Sequence, residues 1–128
     1  MNSPLILTDT HTHLYSEQFK EDRSEMIQRA IAAGVERMYM PNIDLNSIEG
    51  MHALEKQFPD NCFAMMGLHP CSVDANWELT LAKMKLLLEK RPYVAVGEIG
   101  IDLYWDKTFV EEQKEAFRTQ INWAKEWQ

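Results

Sequence analysis

Short apolar runs and helix-patterned stretches alternate along this chain, four of each, and that alternation limits the folds open to it. "LILTDT" (5–10) suits a buried strand. "SEQFKEDRSEMIQRAIAAG" (16–34) follows, with Phe19, Met26, Ile27, Ala30 and Ile31 near helical spacing and Gly34 as a stop. "VERMYMPN" (35–42) and "LNSIEGMHALEKQF" (45–58) form the second pair, with Gly50 weakening the helix. "CFAMMGLHP" (62–70) and "NWELTLAKMKLLLEK" (76–90) form the third. "YVAVGEIG" (93–100) and a helix from Thr108 to Gln128 complete the series. In that last helix Thr108 and Glu111 have capping-box spacing, and Val110, Phe117, Ile121 and Ala124 form the expected apolar stripe. Continuously apolar strands alternating with helices predict an α/β fold with a parallel sheet covered by helices. Either an open doubly wound sheet or a (β/α) barrel satisfies this pattern. No glycine-rich phosphate loop follows any strand, so the nucleotide-binding versions have no support.

Chemically capable residues fall at the C-terminal end of each predicted strand: His11 and His13, then Asn42 and Asp44, then His69, then Glu98 with Asp102 beyond it. A parallel sheet brings all these ends to one edge. Residues i and i+2 of a strand share a side, so Asp9, His11 and His13 are expected to point together. Two imidazoles so placed can grip one metal ion of the zinc, iron or manganese type. Glu98 can join from another strand as a carboxylate ligand, and Asp9 can fix a neighbouring imidazole or polar loop group. His69 also reads as a turn residue beside Pro70, and His52 as a surface residue without a role. Cys62 reads as a buried thiol and Cys71 as a loop thiol, and Met26, Met38, Met40, Met65, Met66 and Met84 as core filling. Tyr104 and Trp105 follow a strand end on the same face, where they either stack on a nucleobase or pack over the mouth of the fold.

The 128 residues suffice for one core and are too few for two ordinary domains. A net charge of −7 argues against tight, charge-driven binding along a nucleic-acid backbone, although bound cations can supply positive charge locally. Two cysteines make no disulfide framework, and no apolar run is long enough to cross a membrane. "MNSPLIL" lacks the pattern of a signal peptide, which leaves the cytoplasm as the expected compartment and no membrane partner.

"DTHTHL" (9–14), "GLHP" (67–70) and "GEIGID" (97–102), in this order and near these spacings, resemble the TatD family of metal-dependent deoxyribonucleases and hydrolases. "EQKEAFRTQINWAKE" (112–126) is similar to that family's segment after the Glu motif. The resemblance implies a TIM-barrel metallo-hydrolase with two divalent ions, of which magnesium, manganese and zinc are the candidates. It implies that His11 and His13 bind the first metal, that Glu98 bridges both, and that His69 contacts substrate or phosphate at the rim. Asp102 would fix a loop or stand behind the ligands. The implied activity is hydrolysis of phosphodiester bonds in DNA. The family's barrel is about twice as long, near the ~250 residues usual for (β/α)₈. Residues 1–128 therefore correspond to its first four βα units, a single N-terminal half barrel, and the catalytic Asp is expected beyond Gln128. Such a half leaves two open sheet edges and one uncovered inner face, so self-association or pairing with a missing half is expected, and no robust hydrolysis by the chain alone. Two other readings stay open: an amidohydrolase-like enzyme acting on a non-nucleic-acid ester or amide, and a non-catalytic half barrel that binds metal or a partner chain.

Overall fold

In a computed structural model that describes residues 5–127, the first apolar run forms a strand only over Leu7–Asp9 (β1). Val35–Met40 (β2) and Cys62–Ala64 (β3) lie beside it in the order β1-β2-β3, all parallel. Leu7 pairs with Val35 and Asp9 with Met38, across an irregularity after Leu7; Met38 pairs with Cys62 and Met40 with Ala64. The expected fourth strand is realised as an irregular extended track. Val94 N–H bonds Ala64 O at 3.0 Å, Met66 N–H bonds Ala95 O at 3.2 Å, and Gly97 N–H bonds Met66 O at 3.1 Å, around a single parallel bridge between Met66 and Val96. The track then leaves β3 for the end of β2, where Asn42 N–H bonds Gly97 O and Glu98 N–H bonds Asn42 O, each at 3.0 Å. That step bends the ladder out of regular strand geometry and carries Glu98 across the sheet edge. Gly67 makes the crossing possible, because a Cβ there would lie 2.8 Å from the carbonyl carbon and oxygen of Gly97.

The helices are Arg23–Ala32 (α1), Ile48–Gln57 (α2), Trp77–Lys90 (α3) and Val110–Glu126 (α4). α1 is shorter than the apolar spacing predicts, since residues before Asp22 form a loop with one 3₁₀ turn at Glu17–Phe19. Gly34 ends this unit with φ of +101°, a conformation that side-chain-bearing residues rarely adopt. α4 departs further. Its buried face carries Gln113, Ala116, Gln120 and Trp123, while Val110, Phe117 and Ile121 are half-buried and Ala124 is exposed. Thr108 does not cap it; its N–H and hydroxyl both bond the Asp106 carboxylate, and Phe109 occupies the cap position. Gln128, the last residue of the expected helix, lies outside the described residues.

The core lies between one sheet face and the helices, where Ile27, Met38, Met40, Met51, Met66, Leu68 and Met84 are almost wholly buried. Met65 is buried too and Met26 packs at the edge, as expected for methionine filling; Cys62 is buried and Cys71 exposed. The other sheet face is not covered. Tyr39 and Phe63 pair edge to face there at 5.9 Å and stay half-buried, and all of β1 is exposed. His52 is not a free surface residue: its Nε2 lies 2.9 Å from the Tyr93 hydroxyl, and burial with Arg91 nearby holds the imidazole below its ordinary pKa. Among the described residues, no helix is long and apolar enough to cross a membrane.

Candidate metal centre

Three imidazoles surround one carboxylate at the C-terminal edge of the sheet. Glu98 Oε2 lies 3.3 Å from His11 Nε2 and 3.3 Å from His13 Nε2, and Glu98 Oε1 lies 3.4 Å from His69 Nε2. His11 and His13 do not sit inside a strand, because β1 ends at Asp9. The chain bends at Thr10 and His11, after which Thr12 N–H bonds Tyr39 O at 3.1 Å and keeps the segment alongside β2. The two rings, at 5.1 Å and 79° to each other, converge on Glu98 as the i, i+2 spacing suggests. Asp9 does not join them. Its carboxylate accepts the His11 N–H at 3.1 Å and holds the bend that aims the ring.

The proton positions follow from the surrounding bonds. The Tyr15 hydroxyl donates its only hydrogen to Pro41 O, so the 2.8 Å contact between its oxygen and His13 Nδ1 needs the proton on Nδ1. That leaves the Nε2 lone pair free toward Glu98. Burial holds the His13 pKa below its ordinary value, against the pull of Glu98, so the ring is neutral at pH 7. His69 is the reverse case. Its Nδ1 accepts the Cys71 N–H at 3.0 Å, so its neutral ring carries the proton on Nε2 and offers a donor rather than a lone pair. His69 thus holds the Pro70 turn while its other nitrogen faces Glu98.

The donors fit a metal ion. His11, His13 and Glu98 form a group whose ligand atoms all lie within 4.8 Å of one another. Ligands about 2.0–2.1 Å from an ion in tetrahedral geometry stand about 3.3 Å apart, close to the two imidazole–carboxylate separations here. An imidazole oriented through its second nitrogen, as His13 is by Tyr15, is the usual arrangement at such centres.

Several supports are not legible as chemistry in the sequence. Asn42 is fully buried; its amide donates to Gly67 O at 3.0 Å and Asp44 O at 2.9 Å, and its oxygen accepts the Ser47 hydroxyl at 2.7 Å. Asn42 and Asp44 therefore hold the edge together and do not join the donor set. Arg23 clamps the carbonyls of Leu14, Tyr15 and Ser16 after the histidine pair. Gln120 accepts the Leu68 N–H at 2.7 Å and so fixes the residue before His69. Asp102 lies in the loop after Glu98, where its carboxylate feels the His69 imidazole and the Cys71 thiol. Its N–H and C=O are held by the buried Gln113, and its carboxylate accepts the Tyr104 N–H at 2.9 Å, which lowers its pKa.

Residues 8–128 match the family model described as TatD related DNase. The chain belongs to the TatD family. The metal-dependent hydrolase YabD of Bacillus subtilis is 40% identical over 121 residues, which are 94% of this chain and 47% of YabD. The 3'-5' ssDNA/RNA exonuclease TatD of Erwinia tasmaniensis is 35% identical over 92% of this chain and 46% of its own length. The crystal structure of YjjV, a TatD homologue from Escherichia coli, is similar with a TM-score of 0.84 at 32% identity, over 94% of this chain and 47% of that one. A TatD family hydrolase structure from Entamoeba histolytica shares the fold, with a TM-score of 0.77 at 22% identity over 98% of this chain and 48% of that one. The chain spans about half the length of the TatD relatives it matches.

Proposed function

We propose that these residues form the metal-binding N-terminal half of a TatD-type hydrolase that cuts phosphodiester bonds of single-stranded nucleic acid, DNA foremost. The observation that carries this reading is the convergence of His11, His13 and Glu98 from the first and fourth units of a TatD-family chain. His11, His13 and Glu98 would hold one divalent ion, and Glu98 would also serve a second. Bound there, such ions polarise a phosphoryl oxygen and lower the pKa of a bound water. The chain's own residues do the positioning. Tyr15 keeps the His13 lone pair turned inward, Asp9 aims His11, and the Nε2–H of His69 is available to a phosphate oxygen.

A second ion and a base for water need more donors than these residues supply, and we place those donors on polypeptide outside this sequence that completes the other half of a (β/α)₈ barrel. The uncovered sheet face and the exposed β1 edge fit that arrangement. The same surfaces favour self-association when the chain is alone.

Equilibrium dialysis with Zn²⁺ or Mn²⁺ tests the site. The expected result is uptake of about one ion per chain, lost in His13→Ala and in Glu98→Gln. No uptake by the unaltered chain would overturn the reading. With single-stranded DNA and Mn²⁺ the chain alone is expected to turn over little or not at all, and turnover abolished by His11→Ala would instead mean that residues 1–128 hold a complete site.

A further inference from the structure

We infer that Tyr104 and Trp105 form a stacking platform for a base of a single-stranded nucleic-acid substrate, beside the metal donors. This rests on the phosphodiester reading above and adds a subsite to it. The two rings are the most exposed large aromatics among the described residues, 81% and 77%, and they meet edge to face at 4.7 Å and 88°. The pair is held as well as exposed. Its loop is clamped at one end by Gln113, which bonds both the N–H and the C=O of Asp102, and at the other by Asp106, which takes the N–H and hydroxyl of Thr108. The backbone that carries the rings is thus tied down on both sides, which lowers the cost of ordering the loop when a base stacks.

Position and charge select the occupant. The loop follows Glu98 directly, and Trp105 shares a small cleft of about 60 Å³ with Pro70 and Cys71, the residues next to His69. A strand whose phosphate reaches the Nε2–H of His69 would then run close to Trp105. Asp102 and Asp106 flank the rings and are held charged by their hydrogen bonds, which opposes a phosphate at that point. An uncharged base face on an aromatic ring has no such conflict, and the contact tolerates any base.

Fluorescence anisotropy with a labelled six-nucleotide thymidine strand in low-salt buffer, with EDTA and again with Zn²⁺, tests this. Tyr104→Ala and Trp105→Ala are each expected to weaken binding at least fivefold or so, and Trp105→Phe to retain most of it. A strand with abasic positions should bind the unaltered chain as weakly as the intact strand binds the alanine variants. Zn²⁺ uptake should not change, which separates this subsite from the metal centre. Equal binding of intact and abasic strands, unaltered binding by both alanine variants, or no binding by the unaltered chain would overturn the proposal. Intact Zn²⁺ uptake in those cases leaves the metal centre standing, and loss of uptake in the unaltered chain points to failure of that reading instead.

Discussion

Tyr15 decides which nitrogen of His13 is free. Its hydroxyl hydrogen is committed to Pro41 O, so Nδ1 of His13 keeps a proton and Nε2 does not. Tyr15→Phe removes that constraint and leaves the ring in place. Zn²⁺ affinity should drop about tenfold or more, the usual cost of losing an orienting partner at a metal-bound imidazole. Histidine nitrogen shifts in the NMR spectrum should show mixed tautomers at His13; an unchanged tautomer with unchanged affinity would refute the role. At this scale the sequence pointed to residues that the fold does bring together. His11, His13 and Glu98 are residue types with few purposes at a strand end, and both imidazoles lie 3.3 Å from the Glu98 carboxylate. Tyr15 and Arg23 were not legible. A tyrosine and an arginine look alike in sequence whether or not they bind a carbonyl several residues away.

α4 packs through Ala116 and Trp123 in the core and, beside them, through two buried amides that the apolar spacing did not mark. Gln120 accepts the buried Leu68 N–H at 2.7 Å, and its amide nitrogen lies 3.4 Å from Leu68 O and 3.2 Å from Ala116 O. Gln120→Ala leaves the Leu68 N–H without a partner, which costs about 1–3 kcal/mol in urea unfolding. Gln120→Glu should recover part of that loss only while its carboxyl is protonated, because an ionised carboxylate there would be buried against the Leu68 and Ala116 carbonyls. A change below about 0.5 kcal/mol in the alanine variant would mean that a water or a backbone shift replaces the bond. Spacing alone predicted a face through Val110, Phe117, Ile121 and Ala124. The observed face is Gln113, Ala116, Gln120 and Trp123, turned toward loops whose backbone groups need partners. A hydropathy pattern cannot report a helix that packs by bonding backbone, because the residues that do so are polar. The fourth strand failed for a related reason. Its apolar run is real, but past the Gly97 N–H bond to Met66 O its backbone turns to Asn42 instead of continuing along the third unit.

The molecule as a whole is a parallel sheet covered on one face. Leu5, Ile6 and Leu7 are exposed at the β1 edge, and Ile101 and Leu103 in the loop after Glu98. Parallel sheets are ordinarily buried on both faces, and an open edge is a template for pairing. The chain alone should therefore self-associate. Sedimentation should show an average mass that rises with concentration, and Leu7→Lys should lower it. A strictly monomeric chain at high concentration would sink this expectation. By itself the sequence determined the alternation of strand and helix, the parallel sheet, and the gathering of His11, His13, His69 and Glu98 at one edge. Those outcomes depend on local hydrophobic period and on the rule that parallel strands end together. Only the tertiary structure decided which nitrogens are free, that Asp9 holds a bend instead of joining the donors, and that Asn42 and Gly67 bring Glu98 across to the histidines. Those outcomes depend on single hydrogen bonds and close backbone contacts between residues far apart in the chain, which no local pattern records.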